Sequence, residues 1–225
     1  MRAETEIERY SRAFYLFQFP VVKGFAWLVM FLLGRIKSVG KKNIPRDGGL
    51  LILCNHRSDC DPVAVQVVCP RPIRFMAKSE LFEMAFVKNV LRWMKSFPVK
   101  RGEPDKSAIK LAIETLKADE CVCVFPEGQL TETGELQELK PGIALIVRMA
   151  GVPVICCGLR NTERVVPYGS LIPRFSSKRV VARWGEVKAF DRKAEVEEIL
   201  GWAGDELRRL TTERTPSIEA PRSPS

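Results

Sequence analysis

The segment Asn55-His56-Arg57-Ser58-Asp59-Cys60-Asp61 holds the only histidine of this 225-residue chain. An unperturbed imidazole titrates near about pH 6.5, so it can take up and return a proton at neutral pH. Two carboxylates follow closely, at Asp59 and Asp61. Either can fix the imidazole tautomer and stabilise the imidazolium that forms when the ring accepts a proton. With one histidine present, any imidazole chemistry must occur at His56. Plainer roles exist for the same residues. Asp61-Pro62 also reads as a helix start, with Asp as N-cap and Pro at the first helical position. His56 would then be an ordinary loop residue.

The elements around this segment give it a base. An apolar run, Leu50-Leu51-Ile52-Leu53-Cys54, leads directly into Asn55 and reads as a strand. From residue 48 onward the pattern alternates between strand-like and helix-like stretches. Strands are expected at 49–54, 72–77, 96–99, 121–125, 152–157 and 178–185. Helices are expected at 62–69, 79–94 (whole or broken), 104–118, 141–150 and 191–212. Such alternation predicts an α/β fold, with a central, mostly parallel sheet flanked by helices. Ligands in open α/β sheets sit beyond the carboxyl ends of the strands. His56, Arg101 and Glu127 each follow an expected strand, so one cleft can collect them. Pro153, read inside a strand, suggests an edge or a bulge there. No internal repeat is visible.

Composition narrows the class. The chain is 46% hydrophobic, enough for one sizeable core, and carries a formal net charge of +9. A basic balance suits an anionic partner such as phospholipid, nucleic acid or a phosphorylated ligand. The seven cysteines have no framework spacing and read as buried free thiols in a reducing compartment. Cys121 and Cys123 alternate along an expected strand and so share a face. One histidine and no paired C-x-x-C leave no metal site expected. The start of the chain shows no cleavable-leader pattern.

Residues 13–33 are mostly apolar, interrupted by Pro20 and Lys23. Two helices are expected, at about 4–19 and 21–37, meeting at Pro20. On the second, Val21, Phe25, Leu28, Leu32 and Ile36 form one stripe. No Asp or Glu occurs between Glu8 and Asp47, whereas Arg9, Arg12, Lys23, Arg35, Lys37, Lys41, Lys42 and Arg46 do. The broken run argues for a helical pair that lies in or dips into one leaflet of an anionic membrane. The alternative is a pair packed on the domain as ordinary core. The organisation expected is therefore membrane-associated helices over 1–40, a catalytic domain over 41–213 and a disordered tail over 214–225 rich in Pro and Ser.

Taken together, the blocks resemble the glycerolipid acyltransferase superfamily, typified by enzymes acting on 1-acyl-sn-glycerol-3-phosphate. Its N-H-x-S-x-x-D block is matched by Asn55, His56, Ser58 and Asp61. Its second block, an arginine-glycine pair after a strand, is matched by Phe97-Pro98-Val99-Lys100-Arg101-Gly102. Its F-P-E-G block is matched by Phe125-Pro126-Glu127-Gly128, and its proline-bearing strand by Val152-Pro153-Val154-Ile155. Gly134, Leu136, Lys140-Pro141-Gly142 and Ala144 are similar as well. The resemblance spans about residues 40–190, and four blocks in order are far more specific than one.

The resemblance implies direct attack of an acceptor hydroxyl on an acyl thioester, with no acyl-enzyme. His56 would be the base and Asp61 its partner, with Asp59 the alternative. Ser58 would make a local turn hydrogen bond rather than act as a nucleophile. Lys100 and Arg101 offer cations for a phosphate, and Gly102 permits close backbone approach. Alone, that basic pair would read as surface. Lys78 is a weaker candidate for the same anion. Glu127 and Gly128 would help hold the glycerol-phosphate acceptor, with Glu127 bonding a hydroxyl or a backbone N–H and steadying Gly128. Many members continue F-P-E-G with Thr-Arg-Ser, whose arginine binds phosphate; here Gln129-Leu130-Thr131 stands instead. Lys140 or Arg160 are candidates for the missing charge.

The function expected is transfer of a fatty acyl group from acyl-CoA or acyl-carrier protein to the free hydroxyl of a lysophospholipid, foremost 1-acylglycerol-3-phosphate, at the cytoplasmic face of a membrane. No cofactor is expected beyond the donor. The alternatives are another lysophospholipid or hydroxylated lipid as acceptor, or a non-catalytic membrane-lipid-binding protein. An intact His56–Asp61 pair argues against the last. Nucleic acid is not an expected partner, since no P-loop or helix-turn-helix pattern accompanies the charge.

Overall fold

The computed structural model of the protein describes residues 19–84, 88, 91, 94–99, 105–170 and 172–212. Seven strands form one sheet: β1 (Lys37–Val39), β2 (Leu50–Cys54), β3 (Ile73–Lys78), β4 (Phe97–Val99), β5 (Cys121–Val124), β6 (Val154–Arg160) and β7 (Val181–Trp184), in the order β1-β7-β6-β2-β5-β3-β4. β6, β2, β5, β3 and β4 are mutually parallel. β7 runs antiparallel to β6, and β1 is parallel to β7. The sheet is thus mixed and mostly parallel.

β2 lies at the centre, and all five of its residues are buried. An apolar run with no polar alternation is what a strand covered on both faces requires. Leu50, Ile52 and Cys54 point into one layer, and Leu51 and Leu53 into the other. The first layer is covered by α1 (Phe19–Gly34) and α2 (Asp61–Val68). The second is covered by α3 (Lys106–Lys117), α4 (Gly142–Ala150) and α5 (Val196–Thr212).

Local sequence explains the helices. Asp105 caps α3, its carboxylate accepting from the N–H groups of Ser107 and Ala108. α4 ends at Gly151, whose left-handed φ of 64° suits glycine at a helix terminus. α5 buries Ile199, Ala203, Leu207 and Leu210, one face of a 3.6-residue period. Gly158 on β6 lets α5 approach, since a Cβ there would lie 2.6 Å from that of Leu210.

Cys121 and Cys123 share a face, as alternation requires, and all seven cysteines are buried and free. Pro153 is a correction. It precedes β6, and that strand is flanked by β2 and β7 rather than lying at an edge. With no N–H to give, Pro153 still contributes its carbonyl, which accepts from the N–H of Leu51. The edge proline is Pro98 of β4, which pairs only with β3 among the described strands.

α1 matches the second of the expected N-terminal helices, but it ends at Gly34, and the chain turns into strand β1 at Lys37. Residues 4–18, the body of the first expected helix, and the tail beyond 212 lie outside the described residues. α1 packs against α2 and buries Phe19, Met30 and Gly34. Four of the five stripe residues face outward instead, with Val21 72% exposed, Phe25 69%, Leu28 46% and Leu32 58%, while Ile36 lies beyond α1 and is buried. Ordinary core packing therefore does not account for that stripe. Among the described residues, no helix is long and apolar enough to cross a membrane.

Candidate active site

Parallel strands ending on the same edge gather the first and third sequence blocks there, whereas the fourth, Val152-Pro153-Val154-Ile155, lies at the opposite edge, beside Leu51 at the start of β2. β2 delivers Asn55 and His56, β5 delivers Phe125 to Gly128, and β3 ends at Lys78 opposite Val99 of β4. His56 Nδ1 lies 3.0 Å from Asp61 Oδ2, and both side chains are buried. The same Oδ2 accepts from the backbone N–H groups of Arg57 (2.6 Å) and Ser58 (2.8 Å). Asp61 is therefore not an N-cap. It opens α2 and reaches back to the preceding loop, with Cys60 in the capping position. Asp59 is exposed on the turn. With Nδ1–H donated to Asp61, Nε2 is left to accept a proton, the tautomer that a general base needs.

The backbone of His56 is fixed at both ends. Its N–H donates to Glu127 Oε1 at 2.8 Å, and its carbonyl accepts from the N–H of Thr131 at 3.0 Å. Glu127 Oε2 accepts from the N–H of Gln137 at 2.9 Å. The Glu127 carboxylate thus joins the His56 loop to the 129–140 loop. Burial pushes its carboxyl pKa up, against the opposing pull of the two N–H donors. Phe125-Pro126-Glu127-Gly128 is a tight turn, the Gly128 N–H donating to the Phe125 carbonyl at 3.0 Å. Pro126 suits its second position, and Gly128 carries a φ of 71° that other residues rarely adopt.

Asn55 ties β2 to β6. Its amide donates to the Leu159 carbonyl (3.1 Å) and accepts from the Leu159 N–H (2.7 Å), replacing a rung of the sheet where β2 ends. Ser58 makes the expected local turn bond and adds a longer-range one. Its Oγ donates to the Val166 carbonyl at 2.6 Å, across 108 residues, and accepts more weakly from the Cys60 N–H at 3.3 Å. Fully buried and so engaged, Ser58 is not placed as a nucleophile. Neither is Cys60, whose thiol burial pushes up to about 12.

The imidazole also stacks on Phe125, with ring centroids 4.0 Å apart and planes 18° apart. Phe125, Thr131 and Gln137 were not assigned roles from sequence. The stacking was foreshadowed only by an aromatic at the end of a strand adjacent to β2. The backbone contacts of Thr131 and Gln137 leave no sequence signal, because any non-proline residue can make them.

Of the expected phosphate ligands, Lys100, Arg101 and Gly102 lie outside the described residues. Val99, just before them, ends β4 at the site edge. Lys78 is at the same edge, partly exposed and 3.1 Å from Glu80. Lys140 bonds back to the F-P-E-G turn, its N–H donating to the Pro126 carbonyl at 2.9 Å. Its side-chain stem passes over Gly128, within 3.6 Å of where a Cβ would lie. Arg160 ends β6, beside the Asn55–Leu159 link.

Comparison with known proteins agrees with this geometry. The profile of the Acyltransferase family matches residues 35–160, more than half of the chain. The 1-acyl-sn-glycerol-3-phosphate acyltransferase of Bacillus subtilis is 36% identical over 129 residues, covering 57% of this chain and 64% of that enzyme. The chloroplastic 1-acyl-sn-glycerol-3-phosphate acyltransferase BAT2 of Brassica napus is 27% identical over 166 residues, covering 72% of this chain and 47% of that enzyme. The matches thus span less than two thirds of the length of these relatives. In fold, the chain is similar to the crystal structure of the 1-acyl-sn-glycerophosphate (LPA) acyltransferase PlsC of Thermotoga maritima, with a TM-score of 0.69 at 23% identity, over 90% of this chain and 85% of that one. A buried His–Asp pair at the end of the central strand, on this sheet and with this profile, places the chain in the Acyltransferase family.

Proposed function

We propose that the protein transfers a fatty acyl group from acyl-CoA or acyl-carrier protein to the free hydroxyl of a lysophospholipid, with 1-acylglycerol-3-phosphate as the first acceptor to test. The observation that carries this reading is the His56–Asp61 pair, buried, 3.0 Å apart and fixed at the backbone from both sides. His56 Nε2 takes the proton of the acceptor hydroxyl as its oxygen attacks the thioester carbonyl. Asp61 stabilises the imidazolium. The tetrahedral intermediate collapses to the ester and expels the thiolate, to which His56 returns the proton. Ester and free thiol are the products, and no acyl-enzyme is needed. The names of the matched relatives support a 1-acylglycerol-3-phosphate acceptor.

Arg101, with Lys100 beside it and Gly102 giving backbone access, is assigned to the acceptor phosphate. Lys78 and Lys140 are the nearby candidates that can add to it. Glu127 repels a phosphate, so its part is to hold the His56 loop and the Gly128 turn. Gln129-Leu130-Thr131 in place of Thr-Arg-Ser favours one alternative, a lysophospholipid with another headgroup. We further assign membrane attachment to the outward apolar stripe of α1 and its basic flanks, on the cytoplasmic face.

The test is an acyl-transfer assay of the purified chain with a panel of lysolipids and both donors, beside His56→Ala. Transfer by the wild type and a loss of about 10²-fold or more in a folded His56→Ala protein are expected. Near-normal turnover in that variant would sink the assignment. Arg101→Ala should weaken use of a phosphate-bearing acceptor by roughly one to two orders of magnitude, mainly through its Michaelis constant. Arg101→Lys should recover only part of this, because it lacks the guanidinium fork.

A further inference from the structure

Among the described residues outside the site, large apolar side chains are also exposed on the loop after β6, which is joined to α1: Ile172 is 72% and Phe175 69% exposed. Single exposed apolar residues are ordinary. These two are not single. Tyr168, on the same loop, is 52% exposed. Residues 164–179 contain Arg164, Arg174, Lys178 and Arg179 and no acidic residue. All four of these basic residues are exposed.

The loop is joined to the end of α1. The Ser176 N–H donates to the Leu33 carbonyl at 2.7 Å, and the Val180 N–H to the Gly34 carbonyl at 2.7 Å. The Arg35 guanidinium bonds the Ser177 carbonyl. Phe175 and Leu32 therefore each sit one residue from the same backbone bond, and both are exposed. The other end of the loop reaches the site. Val166 accepts the buried hydroxyl of Ser58, and Val165 accepts the N–H of Arg174 at 2.7 Å.

We infer that the loop bearing Ile172 and Phe175 is a second lipid-contacting element, inserting these two side chains into an anionic phospholipid surface beside α1. Apolar side chains on a segment that also carries four exposed cations match the interfacial region of such a bilayer, where the side chains leave water and the cations meet headgroups. Two attachments, α1 and the loop bonded to its end, fix the orientation of the domain as a single helix cannot. The bonds through Val165 and Val166 hold the His56 loop at a set distance from that surface. The inference adds to the membrane attachment proposed above and does not depend on acyl-transfer chemistry.

The experiment is flotation of the full chain with phosphatidylcholine vesicles, with and without phosphatidylglycerol, read without turnover. Ile172→Asp/Phe175→Asp should lower partitioning onto the anionic vesicles by about tenfold or more, and the milder Ile172→Ser/Phe175→Ser should fall between it and wild type. The control is Leu145→Asp/Met149→Asp on α4, also exposed and apolar (48% and 52%) but on the other face of the sheet, and it should bind as wild type. Arg174→Glu/Lys178→Glu should weaken binding to anionic vesicles and leave neutral ones unchanged. Thermal unfolding and light-scattering mass are measured for every variant. Unchanged partitioning of both loop variants with intact folding overturns the proposal, as does an equal loss in the α4 control. A change in mass with unchanged vesicle binding also overturns it, making the patch a contact with a second copy of the chain.

Discussion

The edge around His56 and the outer face of α1 use buried and exposed groups in opposite ways. Around His56, four groups are tied to named partners, Nδ1 to Asp61, its N–H to Glu127, its carbonyl to Thr131, and the Asn55 amide to Leu159, while the buried Asp61 Oδ1 is left without one. The side chains of His56, Asp61 and Glu127 are all buried. On α1, Val21, Phe25, Leu28 and Leu32 face out. Buried polar groups must be bonded, and each bond fixes a position. Exposed apolar groups fix nothing by themselves, and leave a favourable transfer free energy for another apolar phase to realise. The same chain thus makes geometry at one place and adhesion at another.

The sharpest break in that comparison is at Asp61. Asp61→Asn should lower kcat by about 10²-fold or more, because a neutral amide cannot stabilise the imidazolium or enforce the Nε2 base. Asp59→Asn, on the exposed turn, should stay within a few-fold. Steady-state kinetics on both decides it, and the reverse order would make Asp59 the partner.

Glu127→Gln comes next. A glutamine oxygen can accept one of the two N–H groups, but its NH2 confronts the other. Leaving one buried donor unmet costs about 1–3 kcal/mol. Urea unfolding should show that loss, and turnover should fall by roughly ten- to a hundredfold as the His56 loop loosens. The raised carboxyl pKa sets the pH trend. The folded state binds this proton more tightly than the unfolded chain does, whose value is about 4.3. Glu127 therefore supports the fold most at low pH, and this support declines as pH rises from about 4.3 through its raised folded value. The stability difference between wild type and Glu127→Gln should narrow across that window and be flat above it.

On the other side of the comparison, Phe25→Asp/Leu32→Asp should leave thermal unfolding unchanged, because neither side chain is packed. Vesicle partitioning should drop by about tenfold or more. A fall in melting temperature with full binding would mean that the stripe is packed after all. The test uses point substitutions because deletion through residue 40 would also remove β1, which pairs with β7.

The smallest effect expected is at Phe125. Phe125→Leu removes the ring under His56, and a stack of this kind contributes about 0.5–1 kcal/mol, so kcat should fall roughly two- to fivefold. Phe125→Tyr should restore it. Equal losses in both variants would assign Phe125 to packing alone.

Much of this was legible in the residues. The unbroken apolar run of β2, the 3.6-residue period of α5 and the Asp105 cap of α3 are local signals, and each element formed where its pattern lay. The strand-like runs place His56 and Glu127 just past strand ends, as the structure has them; Arg101, expected after a third, lies outside the described residues. Local pattern failed where a partner far along the chain decided the outcome. The expected second helix runs through Lys37 and leaves Ser38 and Val39 unassigned, because these three residues carry no strand signature and only pairing with β7 extends them. Pro153 suggests an edge or a bulge by local pattern, whereas the neighbours of β6 are set by sheet order.

The sequence by itself determined the chemistry available at the site: one imidazole, a carboxylate five residues on, and a Pro-Glu-Gly turn after a second strand. Side-chain type and short spacing suffice for that, since they depend only on covalent connectivity. Tertiary structure alone decided what the groups bond. Glu127 meets the backbone of His56 across 71 residues, and Ser58 meets Val166 across 108. Which face of α1 is covered was likewise settled only by α2 packing against it. Such pairings follow from the order in which parallel strands assemble, and that order is set by the burial of the whole sheet rather than by any one segment.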